Sequence, residues 1–384
     1  MAPRVLLDAT AVPPDRGGVG RYVDSLAAAL PAAGVRLAVA CQAADAERYG
    51  ALPGVDVHPG PPTLARRPTR LVWEQTGLVR LAARTGADVL HSPHYTLPLA
   101  APCPVVVTLH DATFFTDPDL HSPVKARFFR TATRLAVRRA ALCVVPSQAT
   151  ADEVARETGA DPGRLAVAHH GVDTAAFRPP DAAALARVRA ALGLGPDDTW
   201  VAFLGTLEPR KNVPALVEGW ARACAGRPDP PVLVLAGARG WDDRVDAAVA
   251  AVPAPLRVLR PGYLPYDDLS ALLGGAAVVA YPSLGEGFGL PVLEAMACGA
   301  CVLTTRRLAL PEVGGDAVAY TEPDPAAVAA ALAALLDDPA RRRALGAAAT
   351  ARASTATWER AAERHAAAYE RAAATRRGVR TGRR

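Results

Sequence analysis

The sequence predicts an α/β fold of two doubly wound domains, each a parallel sheet with helices on both faces. Three observations support this prediction. The chain has 384 residues, which at roughly 150 residues per domain suits two or three domains. Short apolar runs alternate with helix-length segments, as is typical of βαβ units. The alternation occurs twice, and the glycine and proline stretch "LGLGPDD" separates the two series.

The first series predicts an N-terminal domain at residues 1–175. Its strand candidates are "RVLLDAT", "VRLAVAC", "ADVLHSP", "PVVVTLHD", "ALCVVPS" and "LAVAHHG". Residues 176–196 are predicted to be a linker, in which an alanine-rich helix precedes "LGLGPDD". The second series predicts a C-terminal domain at 197–357. Its strand candidates are "WVAFLGT", "PVLVLAG", "RVLRPGY", "AAVVAYPS", "ACVLTT" and "DAVAYT".

Composition and charge argue against several classes of function. The net charge of +5 comes mostly from arginine, since only Lys125 and Lys211 are lysines. This charge is dispersed and no basic motif is interleaved with aromatic residues, so nucleic-acid binding is not predicted. Every uninterrupted apolar stretch is shorter than about 18 residues, the length needed to span a membrane. Asp8 interrupts the apolar stretch at the N-terminus, which a signal peptide would not do. We therefore expect a cytoplasmic protein whose cysteines, including the pair in "CGAC", are structural.

Distinctive residues follow the carboxyl ends of predicted strands, where open α/β sheets bind their ligands. In "RGGVGRY" after the first strand, Gly17 and Gly18 suit a tight turn as well as a bound ligand. A nicotinamide cofactor is not predicted, because the second strand ends in "CQ" instead of an acidic residue. Arg210 and Lys211 follow "VAFLGT". A lysine in this arginine-rich chain favours a phosphate site, with a solvated basic turn as the alternative.

The segment "GEGFGLPVLEAMACG", residues 285–299, predicts a glycine loop followed by a short helix. Pro291 suits the first helical turn and Gly299 suits the position after the helix end. We place Glu294 in the first turn and Glu286 on the loop before it. Free amides at a helix N-terminus favour an anion, and two carboxylates favour the recognition of hydroxyl groups. The segment therefore predicts a site for a charged, hydroxyl-rich ligand.

The histidines and one basic helix have less specific patterns. His110, in "TLHD", suits either a core position or a metal ligand, but the other histidines lack a convincing set of partner ligands. No metal site is predicted. The segment "VKARFFRTATRLAVRRAAL" spaces four arginines along one face of a helix at 124–142: Arg127, Arg130, Arg134 and Arg138. This face could dock on an anionic membrane, with an ordinary solvated face as the alternative.

Taken together, these stretches resemble the retaining glycosyltransferases of the GT-B fold known as family four. The matching stretches are "GGVGRY", "TLHD", "VVPSQAT", "HHGVD", "FLGTLEPRKN", "GYLPYDDLSALL", "YPSLGEGFGLPVLEAMACG" and "LPEVGGDA". The resemblance covers nearly the whole chain, and the segment with two glutamates is its most specific part. It implies two Rossmann-like domains that face a cleft. It also implies that a C-terminal helix, within 358–384, crosses back to the first domain.

The resemblance implies a role for each candidate catalytic residue. His110 would lie beside the donor sugar. Arg210 and Lys211 would neutralise the diphosphate leaving group. Glu286 would hold hydroxyl groups of the donor sugar.

The resemblance also implies a donor-binding set in which Glu294 holds the nucleotide ribose. The predicted set is Gly17, Gly18, Gly205, Thr206, Gly287, Phe288, Gly289, Leu290 and Glu294. Many relatives carry an arginine where this chain has Thr206. Arg210 is expected to substitute for that arginine.

The implied reaction transfers a sugar from a nucleotide diphosphate donor to a hydroxyl group of a glycan, a glycolipid or a small molecule, with retention. "GTLEPRKN" and "TLHD" look most like mannosyltransferases that use GDP-mannose. No cofactor is expected, because cationic side chains would take the place of a metal ion. A sugar-nucleotide epimerase or hydrolase of the same architecture is one alternative. A non-catalytic protein that binds nucleotide sugars is the other.

Overall fold

The structure, a computed structural model, describes residues 3–13 and 16–381, with side chains described as far as residue 375. The chain divides into two compact units. Unit 1 comprises Met1–Gly171 and Trp358–Arg384, and unit 2 comprises Val172–Thr357. The first boundary therefore lies a few residues before the one predicted at 175. Residues 382–384 of the C-terminal tail lie outside the described residues.

Unit 1 contains a seven-stranded parallel sheet in the order β3-β2-β1-β4-β5-β6-β7. Its strands are β1 (Arg4–Asp8), β2 (Arg36–Cys41), β3 (Val55–Pro59), β4 (Val89–Ser92), β5 (Val105–Thr108), β6 (Leu142–Val145) and β7 (Leu165–Val167). Most are buried on both faces, as their continuous apolar runs predict. Strand β3, which the sequence did not predict, lies at the sheet edge, and its residues are partly buried or exposed.

Helices lie between the strands of unit 1, and the last helix of the chain also belongs to this unit. They are α1 (Gly18–Ala29), α2 (Ala46–Gly50), α3 (Arg67–Gln75), α4 (Gly77–Arg84), α5 (Thr113–Thr116), α6 (Pro123–Arg139), α7 (Gln148–Thr158) and α16 (Trp358–Thr381). The ends of α7 show why these segments fold locally. The Ser147 side chain accepts a hydrogen bond from the backbone N–H of Thr150, and Gly159 ends the helix in the left-handed conformation.

Unit 2 contains a six-stranded parallel sheet in the order β10-β9-β8-β11-β12-β13. Its strands are β8 (Trp200–Leu204), β9 (Val232–Ala236), β10 (Val258–Gly262), β11 (Val278–Tyr281), β12 (Val302–Thr305) and β13 (Ala319–Thr321). Its helices are α8 (Ala182–Leu192), α9 (Val213–Cys224), α10 (Arg244–Ala250), α11 (Tyr266–Gly274), α12 (Leu290–Ala297), α13 (Leu310–Gly314), α14 (Pro325–Asp337) and α15 (Pro339–Ala353). Each strand lies in a predicted strand segment.

The segment predicted to be a linker, 176–196, forms part of unit 2. It contains helix α8, which begins after Asp181, whose side chain accepts from the N–H of Ala184. Arg187 on α8 forms an ion pair with Asp268 of α11 at 3.1 Å. The predicted alanine-rich helix is therefore present as α8, with proline before it and glycine after it.

A buried chain of hydrogen bonds attaches α16 to the sheet of unit 1. Its side chains come from α1, β4, β5 and α16 and are Tyr22, His91, Thr108, His365 and Tyr369. Each link in the chain is 2.8 Å long. The exposure of these side chains is 0%. Because they are closed off from water, these polar groups depend on one another for hydrogen bonds.

One carbonyl group fixes the direction of every bond in this chain. His365 Nδ1 lies 2.7 Å from the carbonyl oxygen of Ala361, so Nδ1 carries the proton and donates. Burial lowers the pKa of His365 to about 4 and that of His91 well below its ordinary value, so both imidazoles are neutral at pH 7. His365 Nε2 then accepts from the hydroxyl of Tyr22. The same reasoning along the chain leaves His91 Nδ1 accepting from Tyr369.

We expect unit 1 to lose stability as the pH falls below about 6.5. Burial lowers the pKa of His365 to about 4 and lowers the pKa of His91 well below its ordinary value. The unfolded chain takes up protons near pH 6.5 and the folded chain does not, so the stabilisation is complete above that pH and declines below it. For His365 the loss reaches about 3 kcal/mol near pH 4. Glu153 opposes this trend, because burial raises its pKa to about 7.

Denaturant unfolding between pH 7.5 and pH 5 measures this effect, with intrinsic fluorescence as the signal. His365→Gln should destabilise the protein at pH 7.5 and reduce the pH dependence. His169→Gln is the matched control, since His169 is exposed. An unchanged pH dependence in His365→Gln would contradict the assignment of this titration to the buried chain.

Candidate functional site

The candidate site of unit 2 lies where the strand order of the sheet reverses. Strand β8 is adjacent to β9 on one side and to β11 on the other. The chain leaves β8 and β11 in opposite directions along the sheet, which opens a crevice at their carboxyl ends. The loop 205–212 follows β8, and the loop 282–289 follows β11. Each loop carries residues that the sequence predicts to be functional.

Several contacts to backbone carbonyl groups join these two loops. Leu284 N–H donates to the carbonyl oxygen of Arg210 at 2.8 Å, and Ser283 Oγ lies 3.0 Å from the same oxygen. Asn212 has a positive φ of 57°. Its side-chain amide donates to the carbonyl oxygens of Pro282 and Pro323, at 3.2 and 2.7 Å. The two loops therefore form one structural element before any ligand binds.

A buried ion cluster occupies the junction of the loops. Arg210 Nη1 lies 2.5 Å from Glu286 Oε2, and Lys211 Nζ lies 2.7 Å from Glu286 Oε1. Arg210 Nη2 also contacts Glu208 Oε1 at 2.7 Å. Ser283 Oγ donates to Glu286 Oε1 at 2.7 Å. The structure therefore places three of the four predicted catalytic residues in mutual contact.

Burial and neighbouring charges set the protonation of this cluster. Burial alone would raise the pKa of Glu286, but Arg210 and Lys211 bring it down to about 2. Burial and Arg210 lower the pKa of Lys211, and the charge of Glu286 counteracts them. Lys211 also donates to the hydroxyl of Tyr281. Glu286 is thus an ionised hydrogen-bond acceptor at neutral pH and is unsuited to donating a proton.

The second predicted glutamate lies in helix α12 but not in its first turn. The helix begins at Leu290, with Gly289 as its N-cap and Pro291 in the first turn, so Glu294 lies one turn further along. The prediction placed the helix start too late. Glu294 is 3% exposed. The end of the helix is as predicted, because Gly299 follows the C-cap with a φ of +76°.

The other predicted donor-binding residues of unit 2 lie along the same two loops. Gly205 and Thr206 directly follow β8, and Gly205 N–H donates to the carbonyl oxygen of Ala236 at 2.9 Å. Gly287 follows Glu286. The side chains of Phe288 and Leu290 are buried.

Gly289 requires a glycine, because its φ is +102° and an added Cβ would lie 2.9 Å from Leu310 Cδ2. The segment 287–290 can thus offer its backbone to a ligand.

Three predicted residues belong to unit 1: Gly17, Gly18 and His110. Gly17 is the N-cap of α1 and Gly18 is its first residue. An added Cβ at either position would have no atom within 4 Å, so packing does not require glycine there. His110 Nε2 donates to the carbonyl oxygen of Pro93 at 2.7 Å. Burial lowers the pKa of His110, which leaves a neutral ring with Nδ1 as its acceptor.

Sequence reasoning missed four partners in the site of unit 2: Glu208, Asn212, Tyr281 and Ser283. All four lie inside stretches that carry the family resemblance, "FLGTLEPRKN" and "YPSLGEGFGLPVLEAMACG". Their contacts could not be predicted from spacing, because Lys211 and its two partners are about 70 residues apart in the chain. Within the described residues, no group of three or more histidine, cysteine or acidic side chains is arranged to hold a metal ion.

Comparisons with known protein families match both units. The family model of Glycosyltransferase Family 4 matches residues 16–176. The family model of Glycosyl transferases group 1 matches residues 186–352. The second match contains the whole ion cluster and Glu294.

Individual relatives and one solved structure extend these matches. The O-antigen chain mannosyltransferase B of Escherichia coli is 30% identical over 286 residues, which cover 73% of this chain and 74% of the relative. The D-inositol 3-phosphate glycosyltransferase of Rhodococcus jostii (strain RHA1) is 31% identical over 389 residues, which cover 91% of this chain and 83% of that relative. The crystal structure of HepE from Anabaena in complex with UDP-glucose has a TM-score of 0.73 at 19% identity, covering 95% of this chain and 98% of HepE.

Proposed function

The chain belongs to the family of glycosyl transferases group 1 and is a hexosyltransferase, and we propose that it transfers mannose from GDP-mannose to an acceptor hydroxyl group. Its N-terminal part matches Glycosyltransferase Family 4. The acceptor is a glycan, a glycolipid or a small molecule. The anomeric configuration of the donor is retained. The choice of mannose rests on the stretches "GTLEPRKN" and "TLHD" and on a relative named as a mannosyltransferase.

The observation that carries the proposal is the pair of buried cations at the reversal of strand order. Arg210 and Lys211 have side chains only 14% and 9% exposed. Each would attract a diphosphate strongly, because a charge removed from water interacts with little screening. Glycine loops and the N-terminus of α12 add backbone N–H donors beside them. This combination suits a nucleotide diphosphate better than a neutral ligand.

The proposed reaction breaks the bond between the anomeric carbon and the diphosphate. Negative charge then develops on the leaving phosphate oxygen, where Lys211 and Arg210 would stabilise it. The acceptor hydroxyl attacks the same face of the sugar and transfers its proton to the departing phosphate. Because two fixed cations are available, we propose that no divalent metal ion is required.

A donor screen tests the proposed function. Melting temperatures are measured with GDP, UDP, dTDP and ADP sugars, each with EDTA and with added Mg²⁺. We expect GDP-mannose to raise the melting temperature most and EDTA to leave that rise unchanged. If no nucleotide sugar raises the melting temperature and none is consumed with any acceptor mixture, the proposal is wrong.

We also propose that helix α6 contacts anionic lipid at the membrane surface. Arg127, Arg134 and Arg138 are exposed on it, and Phe128 is 41% exposed on the same helix. The fourth predicted arginine, Arg130, is partly buried and donates to the carbonyl oxygen of Phe114. Arginine attracts anionic headgroups, and an exposed phenylalanine can enter the interface. Among the described residues, no helix is long and apolar enough to cross a bilayer.

Sedimentation with phosphatidylcholine vesicles, with and without phosphatidylglycerol, tests this membrane contact. We expect binding only to the anionic vesicles. The double variant Arg127→Glu, Arg138→Glu should weaken it at least about tenfold. Equal binding to both kinds of vesicle, or an unaffected variant, would contradict a contact through α6.

A further inference from the structure

The Glu286 carboxylate forms ion pairs with the two cations that the proposed function assigns to the diphosphate. One of its oxygens lies 2.5 Å from Arg210 Nη1 and the other lies 2.7 Å from Lys211 Nζ. Exposure of the Glu286 side chain is 7%. A carboxylate bound between two cations at these distances resembles a phosphate group in charge and in hydrogen-bonding capacity.

A count of charges shows that the cluster is neutral before a donor arrives. Arg210 and Lys211 supply two positive charges. Glu286 supplies one negative charge, and Glu208 supplies another through its 2.7 Å contact with Arg210. Two buried cations without counter-ions would be costly, because each would be desolvated and would repel the other. The two glutamates therefore stabilise the cluster while it is empty.

We infer that Glu286 is an internal counter-ion, which holds Arg210 and Lys211 in the empty site and is displaced from them by the donor diphosphate. This inference rests on the proposed function, since it requires a nucleotide diphosphate ligand. Once displaced, the carboxylate is available to accept hydrogen bonds from the donor sugar. One side chain thus links arrival of the diphosphate to recognition of the sugar.

The inference predicts opposite effects of one substitution on two ligands. Glu286→Gln removes the negative charge that competes with the diphosphate, so GDP should bind about tenfold tighter. The affinity for GDP-mannose should rise less than the affinity for GDP, because the amide is a poorer acceptor for sugar hydroxyl groups. The ratio of the affinities for GDP-mannose and GDP should therefore fall. A purely structural role would weaken the binding of both ligands together.

Calorimetric titration of the full chain with GDP, GDP-mannose and guanosine measures these affinities, with UDP and UDP-glucose in parallel. Guanosine lacks phosphate, and its affinity should not change. Glu218→Gln is the matched control, because Glu218 is 51% exposed on α9 and pairs only locally, with Arg222. Glu208→Gln is the second variant, for use if Glu286→Gln fails to fold. It removes the other acidic partner of Arg210, so it should also tighten GDP binding.

The outcomes separate this inference from the proposed function. If the unmodified chain binds no nucleoside diphosphate, both the proposed function and the inference are wrong. If it binds GDP but Glu286→Gln binds GDP equally or more weakly, only the inference is overturned. Tighter binding of GDP with a lowered ratio for GDP-mannose supports the inference.

Discussion

Replacing Lys211 with alanine is expected to lower turnover at saturating donor about 100-fold to 1,000-fold. Its ammonium group is buried and donates to the hydroxyl of Tyr281, a contact that does not depend on Glu286. It is therefore already oriented when negative charge develops on the leaving diphosphate. A preorganised contact of this kind acts mainly on the transition state, so affinity for the nucleoside alone should change little.

Turnover and nucleoside affinity are measured separately for the Lys211→Ala variant. Lys125→Ala is the matched control, because Lys125 is the other lysine of the chain and is exposed on α6. Circular dichroism and the melting temperature check the fold, since Glu286 would retain Arg210 as its only cationic partner in the cluster. Turnover close to that of the unmodified protein would remove Lys211 from the mechanism.

Replacing Glu294 with glutamine is expected to weaken donor affinity about 10-fold to 100-fold, which is typical of losing a hydrogen bond to a charged group. Glu294 is buried in α12. The family resemblance implies that it accepts from the ribose hydroxyl groups. An amide can accept one such bond but presents a donor to the other hydroxyl. Calorimetry with the preferred nucleotide sugar measures the loss, and the Glu218→Gln control should show none.

The glutamate variants also distinguish a transferase from a retaining glycosidase. A glycosidase uses one carboxylate as nucleophile and a second as acid, about 5 Å apart. Glu286 is ionised with its pKa at about 2. It therefore cannot serve as the acid, and both of its oxygens are paired with Arg210 and Lys211 instead of being free to attack a sugar. We expect no sugar attached to the protein in intact-protein mass spectrometry of quenched reactions. A glycosyl adduct on Glu286 or Glu294 would overturn the proposed mechanism.

Much of the fold was predictable because buried parallel strands have continuous apolar sequences. All six strands of unit 2 lie in predicted segments. Strand β3 was missed, because "VDVHP" is short and lies between glycine and proline residues that are typical of a loop. The linker at 176–196 was predicted from glycine and proline. The alanine-rich helix predicted within it is α8, but the contact of α8 with α11 joins residues 81 positions apart in sequence and could not be predicted from spacing.

The candidate site was predictable as a set of residues but not as a set of contacts. The sequence predicted Arg210, Lys211 and Glu286 from strand ends, residue type and family resemblance. It assigned the cations to phosphate and the carboxylate to hydroxyl groups, as separate roles. The structure shows all three in one ion cluster. This pairing depends on β8 and β11 being adjacent, which spacing along the chain does not specify.

The proposed reaction transfers a sugar from a nucleotide diphosphate to a hydroxyl group with retention. Nuclear magnetic resonance of a reaction with GDP-mannose labelled with ¹³C at the anomeric carbon tests this proposal. We expect one new glycoside signal with the anomeric configuration of the donor, together with an equal amount of GDP. Accumulation of free mannose, of an isomerised nucleotide sugar or of the inverted glycoside would contradict the proposal.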